Sequence, residues 1–256
     1  MSRRRSGLLW RAYETLAMGL GLGALALICL LWLPFALLLQ PLLPRRLGQP
    51  LGRFAIRNGF RLYLAFLETF CACRFDLREL DQLRDAGPLI LVANHPSLLD
   101  AVMILSRLPN AVCVMKASLL DNILFGAAAR LARYIRNNAP LEMIIDARDE
   151  LLAGSQLVIF PEGSRTLEFP LDRCMPTAGL IAGRARVPVQ TLLIEFSTPY
   201  LGKTWPLFRR PELPLRCRIR LGRRFTPPAS VSVFTAELDT YLRGELHSPA
   251  PLTATR

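Results

Sequence analysis

The sequence predicts an α/β fold: a mostly parallel sheet flanked by helices, with an N-terminal membrane-associated helical segment. Three observations carry this. Short continuous apolar runs such as PLILVA (88–93) and QLVIF (156–160) read as strands buried on both faces, and they alternate with stretches of helical periodicity. No charged residue occurs from Thr15 to Pro44. The 256 residues suffice for one α/β domain with an appendage and are too few for two full domains.

Composition narrows the function. The chain is 52% hydrophobic, with mean hydropathy +0.29, a net charge of +12 and a pI near 10.3. That excludes disorder, and soluble nucleic-acid binders of this charge are normally hydrophilic. An apolar and basic chain points to an anionic membrane surface. Residues 1–61 hold nine Arg against Glu14 alone, and residues 203–224 hold eight basic residues against Glu212. The second cluster has no nucleic-acid motif or interleaved aromatics, so it reads as a further membrane contact. The six Cys show no metal or redox spacing (Cys71-Ala-Cys73 is not CxxC), which suits a reducing compartment. Two His exclude a His-rich metal site, and neither metal nor cofactor is expected.

Taken in order, residues 1–70 read as membrane anchor and basic amphipathic helix. The uncharged stretch is opened by Arg3, Arg4, Arg5 and Arg11 and closed by Arg45 and Arg46. As helix, residues 15–33 span about 28 Å, close to the ~30 Å of bilayer hydrocarbon. A signal peptide would have a shorter core and a small-residue cleavage site after it, so the segment reads as retained. Pro34, Pro41 and Pro44 permit a kink or a re-entrant turn. Within residues 51–70, Arg53, Arg57 and Arg61 share one helical face, predicting a helix lying on the membrane rather than on the protein's own core.

Residues 71–246 form the expected α/β domain, followed by a tail, 247–256. Strands are expected at 73–77, 88–93, 111–115, 156–160, 188–196 and 216–221. Helices are expected at 98–108, 119–134, 141–153, 177–186 and 233–246. Ligand sites in such sheets lie beyond the carboxyl ends of strands. Two of those ends carry notable polar residues.

The first is Asn94-His95-Pro96-Ser97-Leu98-Leu99-Asp100. An imidazole is suited to taking a proton at neutral pH, and a nearby carboxylate can fix its tautomer. Ser97-x-x-Asp100 also has the form of a capping box, so a purely structural reading competes. The second is Phe160-Pro161-Glu162-Gly163-Ser164-Arg165-Thr166. Gly163 permits close backbone approach, and Arg165 can hold a phosphate bidentately. The competing reading is an ordinary turn with a solvated Arg.

Together, His-x4-Asp and FPEGSR resemble the glycerolipid acyltransferase family, which includes the 1-acylglycerol-3-phosphate acyltransferases. The resemblance covers roughly residues 71–225. It implies His95 and Asp100 as catalytic residues, and Glu162, Gly163 and Arg165 as binding the acceptor's glycerol phosphate. Lys116 and Arg136 match an intermediate block loosely, and residues 187–189 match a last, weaker one. The sequence departs from the family pattern after Thr166, after Lys116 and after Val189, which bears on the acceptor more than on the reaction type.

The expectation is a bacterial, membrane-associated O-acyltransferase at the cytoplasmic face of the inner membrane. It would move a fatty acyl group from acyl carrier protein or coenzyme A to the hydroxyl of a lysophospholipid, in the first place 1-acylglycerol-3-phosphate, with Lys116, Arg136 and Arg165 on the phosphate. Oxyanion donors are expected among backbone N–H groups near a helix start. A specialised aminoacyl or polyene-type lipid acceptor is one alternative, and a non-catalytic lipid-binding membrane protein is another. No nucleic-acid partner is expected.

Overall fold

The computed structural model describes residues 7–206 and 209–247. Arg3, Arg4 and Arg5 and tail residues 248–256 lie outside the described residues. The uncharged stretch forms one helix, α1 (Leu8–Leu42), continuous through Pro34 and Pro41. Pro44 caps α2 (Arg45–Phe70), where its missing N–H costs nothing. The two helices run antiparallel as a hairpin. Tyr13 Oη donates to Phe70 O (3.0 Å), and the open side of Gly59 admits Ile28. The chain reverses between α1 and α2 at Leu43–Pro44.

Arg53 does not lie on a membrane-facing basic stripe, as its spacing with Arg57 and Arg61 predicts. Arg53 is buried, with only 6% of its side chain exposed. It donates to Glu150 Oε2 (2.6 Å), Ser155 Oγ (2.8 Å) and Asn110 Oδ1. Glu150 also receives Arg45 and Gln49. A buried guanidinium must be paired, and the pairing ties α2 to the sheet. Gly52 permits this approach, because a Cβ there would sit 2.5 Å from Ala132 N.

The sheet has seven strands: β1 (Cys73–Asp76), β2 (Leu89–Ala93), β3 (Ala111–Met115), β4 (Ile135–Arg136), β5 (Gln156–Ile159), β6 (Val189–Phe196) and β7 (Leu215–Phe225), in the order β1-β7-β6-β2-β5-β3-β4. Every neighbouring pair is parallel except β6–β7. The expected mostly parallel sheet is therefore present, with one antiparallel junction. β2 and β5 are buried throughout, as their unbroken apolar runs require, whereas β7 alternates. A 3-10 turn (Arg78–Leu83) follows β1.

The remaining helices are α3 (Leu99–Arg107), α4 (Ala117–Asp121), α5 (Ile123–Leu131), α6 (Pro140–Leu152), α7 (Thr177–Ala185) and α8 (Val231–His247). The single helix expected over 119–134 is instead α4, α5 and the turn that leads into β4. Asn122 divides it, its side chain accepting the N–H groups of Leu124 and Phe125 as an N-cap.

Candidate functional site

The site lies at the carboxyl ends of β2 and β5, which pair in parallel and so deliver His95 and the Phe160–Thr166 turn to the same edge. Asn94 fixes the end of β2 against β6. Its side chain donates to Ile194 O (2.9 Å) and accepts Ile194 N–H (2.8 Å). His95 then leaves the strand with its imidazole stacked on Phe160, centroids 3.8 Å apart.

His95 Nδ1 lies 2.8 Å from Asp100 Oδ2. The same oxygen accepts Ser97 N–H (2.8 Å), and Ser97 Oγ accepts Leu99 N–H (3.2 Å). The Asp100-to-Ser97 half of the capping box and the His–Asp contact are thus both present, on one oxygen. Two donors converging on Oδ2 fit a carboxylate, which makes Nδ1 the protonated nitrogen and leaves Nε2 as the base. Nε2 has no hydrogen-bond partner among the described residues and is not sealed in, since 17% of the side chain is exposed while Asp100 is at 0%.

Burial moves the His95 imidazole down to about 4; Glu162 opposes this, and the charges of Arg165 and Lys116 add to it. Burial also pushes the Asp100 carboxyl up, against the Ser97 N–H and Arg165. The imidazole is therefore neutral at neutral pH, as a general base must be.

Glu162 is placed differently from what the resemblance implies. Its Oε1 accepts His95 N–H (2.8 Å) and its Oε2 accepts Asp172 N–H (2.9 Å), so both oxygens brace backbone. Thr166 N–H donates to His95 O (2.8 Å), so the turn grips His95 from both sides. Gly163 has φ +70°, which suits glycine at the tip of this turn. Arg165 Nη1 donates to Leu201 O (2.9 Å) and Gly202 O (2.8 Å), in the segment after β6. Its other guanidinium nitrogens make no hydrogen bond among the described residues.

Lys116, at the end of β3, is exposed and its charge reaches His95. Arg136 ends β4, three strands from β2 or roughly 14 Å across the sheet. Both of its terminal nitrogens pair with Asp121. The structure thus gathers His95, Asp100, Glu162, Gly163 and Arg165, sets Lys116 at their margin, and leaves Arg136 at the sheet edge.

The N–H groups that start α3 are spent. Those of Ser97, Leu98, Leu99 and Asp100 all have acceptors. A helix-start oxyanion site at α3 is therefore closed. The backbone N–H groups of Ser164 and Arg165, by contrast, donate to no described atom.

Two roles were missed in the sequence: the stacking of Phe160 and the locking of β6 by Asn94. The signal for the first was an aromatic placed directly before a Pro-Glu-Gly turn. Asn94 offered none, because its partner is 100 residues away.

Residues 74–195 match the protein family described as Acyltransferase. The chain is 29% identical over 157 residues to the lyso-ornithine lipid O-acyltransferase of Brucella abortus, covering 56% of this chain and 58% of that protein. It is 28% identical over 152 residues to human 1-acyl-sn-glycerol-3-phosphate acyltransferase beta, covering 55% and 54%. The matched stretch thus spans little more than half the length of these curated relatives. The crystal structure of the 1-acyl-sn-glycerophosphate acyltransferase PlsC from Thermotoga maritima shares the fold, with a TM-score of 0.62 at 17% identity over 92% of this chain and 95% of that one.

Proposed function

We propose, from the match of residues 74–195 to the Acyltransferase family and from the geometry of the site, that the chain is a membrane-associated O-acyltransferase whose acceptor is a lysolipid hydroxyl and whose donor is the thioester of acyl carrier protein or coenzyme A. The observation that carries this is a neutral, partly exposed imidazole whose Nδ1 is held by a buried carboxylate, leaving Nε2 free. The acceptor hydroxyl gives its proton to His95 Nε2 as its oxygen attacks the thioester carbonyl. Asp100 steadies the imidazolium. The oxyanion of the tetrahedral intermediate meets the Ser164 and Arg165 N–H groups. Collapse breaks the C–S bond, and the departing thiolate takes the proton back from Nε2. Glu162 acts as a positioning residue, because its carboxylate is occupied by backbone and would repel a phosphate.

Membrane attachment rests on α1, which is 35 residues long, with a mean hydropathy of 2.6 over its most apolar window, only 6% of which is buried. Both of its ends touch the body. Glu14 pairs with Arg210 (3.0 Å), and Gln40 accepts from Arg130 (3.5 Å). These residues are roughly 39 Å apart along the helix, more than the ~30 Å of hydrocarbon. A span would drag the domain into the bilayer, so α1 lies along the membrane surface, on the cytoplasmic side where acyl thioesters are made.

For the acceptor we favour 1-acylglycerol-3-phosphate, its phosphate held by Arg165 and Lys116. Lyso-ornithine lipid is the second reading, favoured by the Brucella relative and by the commitment of Arg136 to Asp121. Arg165→Lys decides between them. A phosphate acceptor predicts a KM increase that is larger for 1-acylglycerol-3-phosphate than for its dephospho analogue, because Lys offers only a point charge. Equal effects on the two would overturn the phosphate reading.

A further inference from the structure

A second cationic site lies away from the chemistry. A cavity of about 300 Å³ opens between the α1–α2 turn and the end of α5, and Arg45, Arg130 and Arg133 line it with no acidic residue. The fold uses two of these side chains. Arg130 donates to Leu120 O and Gln40 Oε1, and Arg45 shares Glu150 with Arg53. The Arg133 side chain has no hydrogen bond or ion pair among the described residues.

Its backbone makes that notable. Arg133 has φ +60° and closes α5, with Tyr134 N–H reaching back to Ala129 O (2.9 Å). This is the helix-ending position that favours glycine. An arginine here strains the backbone and presents a charge the fold does not use; such outliers gather at binding sites.

The surroundings select the ligand. The elements framing the cavity expose Leu38 (60%), Leu42 (67%), Leu47 (60%) and Ile123 (62%). A free anion would use the arginines and leave these exposed apolar side chains idle. An amphiphile uses both. Arg133 lies just before β4, which is three strands across the sheet from β2, whereas His95 and the Phe160–Thr166 turn follow β2 and β5. The two sites are therefore separated across the sheet.

We propose that this cavity binds the phosphate headgroup of an anionic membrane phospholipid, seating the α1–α2 turn on the bilayer. The inference rests on the membrane-surface reading and not on acyl transfer. The test uses the full chain, Arg133→Gly and Arg133→Lys. Each is partitioned onto phosphatidylcholine vesicles with and without about 30 mol% phosphatidylglycerol, and each is thermally melted. Phosphatidylglycerol should strengthen wild-type binding. Arg133→Gly should weaken that added part about fivefold, the worth of one basic residue at such a surface, while melting no lower than wild type because Gly accepts the positive φ. Arg133→Lys should keep most of the binding, and millimolar inorganic phosphate should not displace the protein.

Unchanged phosphatidylglycerol dependence in Arg133→Gly, or full displacement by inorganic phosphate, would overturn the proposal. So would a loss of binding seen only with a lowered melting temperature. Wild type that ignores both vesicles would sink the membrane-surface reading as well. Wild type that binds both vesicles, with Arg133→Gly indistinguishable from it, would sink this inference alone.

Discussion

Asp100→Asn separates the two tasks of one oxygen. Oδ2 receives both Ser97 N–H and His95 Nδ1 at 2.8 Å. The Ser97 N–H will hold the amide oxygen there, not the amide nitrogen. The imidazole then keeps its Nδ1–H tautomer, and the cap on α3 is retained. What disappears is the negative charge beside the imidazolium formed in the transition state. Opposite charges ~4 Å apart at an effective dielectric of ~20 interact by ~4 kcal/mol, and a hydrogen bond to the neutral amide retains ~1 kcal/mol. The loss of ~3 kcal/mol lowers kcat about 10²-fold. The new NH2 takes the place of Oδ1, which is buried without a partner, and costs a further ~1–3 kcal/mol of stability. Single-turnover thiol release from an acyl thioester at saturating acceptor, with a thermal melt alongside, reads both numbers. A folded variant within about threefold of wild type would refute the ion-pair role. A loss beyond about 10⁴-fold would refute the claim that Ser97 dictates the amide's orientation.

Arg53→Met should lower the denaturant midpoint by the equivalent of ~3–5 kcal/mol, because it strands the buried Glu150 with fewer partners, and should leave vesicle binding unchanged because Arg53 faces the core. Burial depresses the His95 pKa, and the base works only when neutral. Activity is therefore lost as pH falls through that lowered value, placing the acid limb of kcat/KM between about 4 and ~6.5; a limb above 6.5 would contradict the burial argument. Gly52→Ala should destabilise by ~1–3 kcal/mol or more in the same titration, since its Cβ meets backbone at Ala132, which cannot swing aside.

Elements set by local pattern were legible in the sequence. Buried strands β2, β3 and β5 announced themselves as apolar runs ending at polar turns, and β7 by its alternation. β4 was not legible, because two residues become a strand only through pairing with β3. The division of α4 from α5 had a local signal, Asn122 before an apolar run, that the longer helical periodicity masked. Arg53 misled because spacing alone places it on a basic stripe, while its partner Glu150 lies 97 residues further on. At the site, His95, Asp100 and Arg165 were visible as reactive types at strand ends. The bracing by Glu162 was not, because a carboxylate that receives two backbone N–H groups looks in sequence like one that faces a ligand.

In the proposed mechanism His95 Nε2 moves a proton between a lysolipid hydroxyl and an acyl thioester. Purified full-length protein in mixed micelles, given an acyl thioester with either 1-acylglycerol-3-phosphate or lyso-ornithine lipid, tests it by mass spectrometry of the lipid products. The expected result is an O-acylated product from one of these acceptors and a 10²–10⁴-fold fall in its rate in a folded His95→Ala variant. No product from either acceptor, or equal product from His95→Ala, would contradict it.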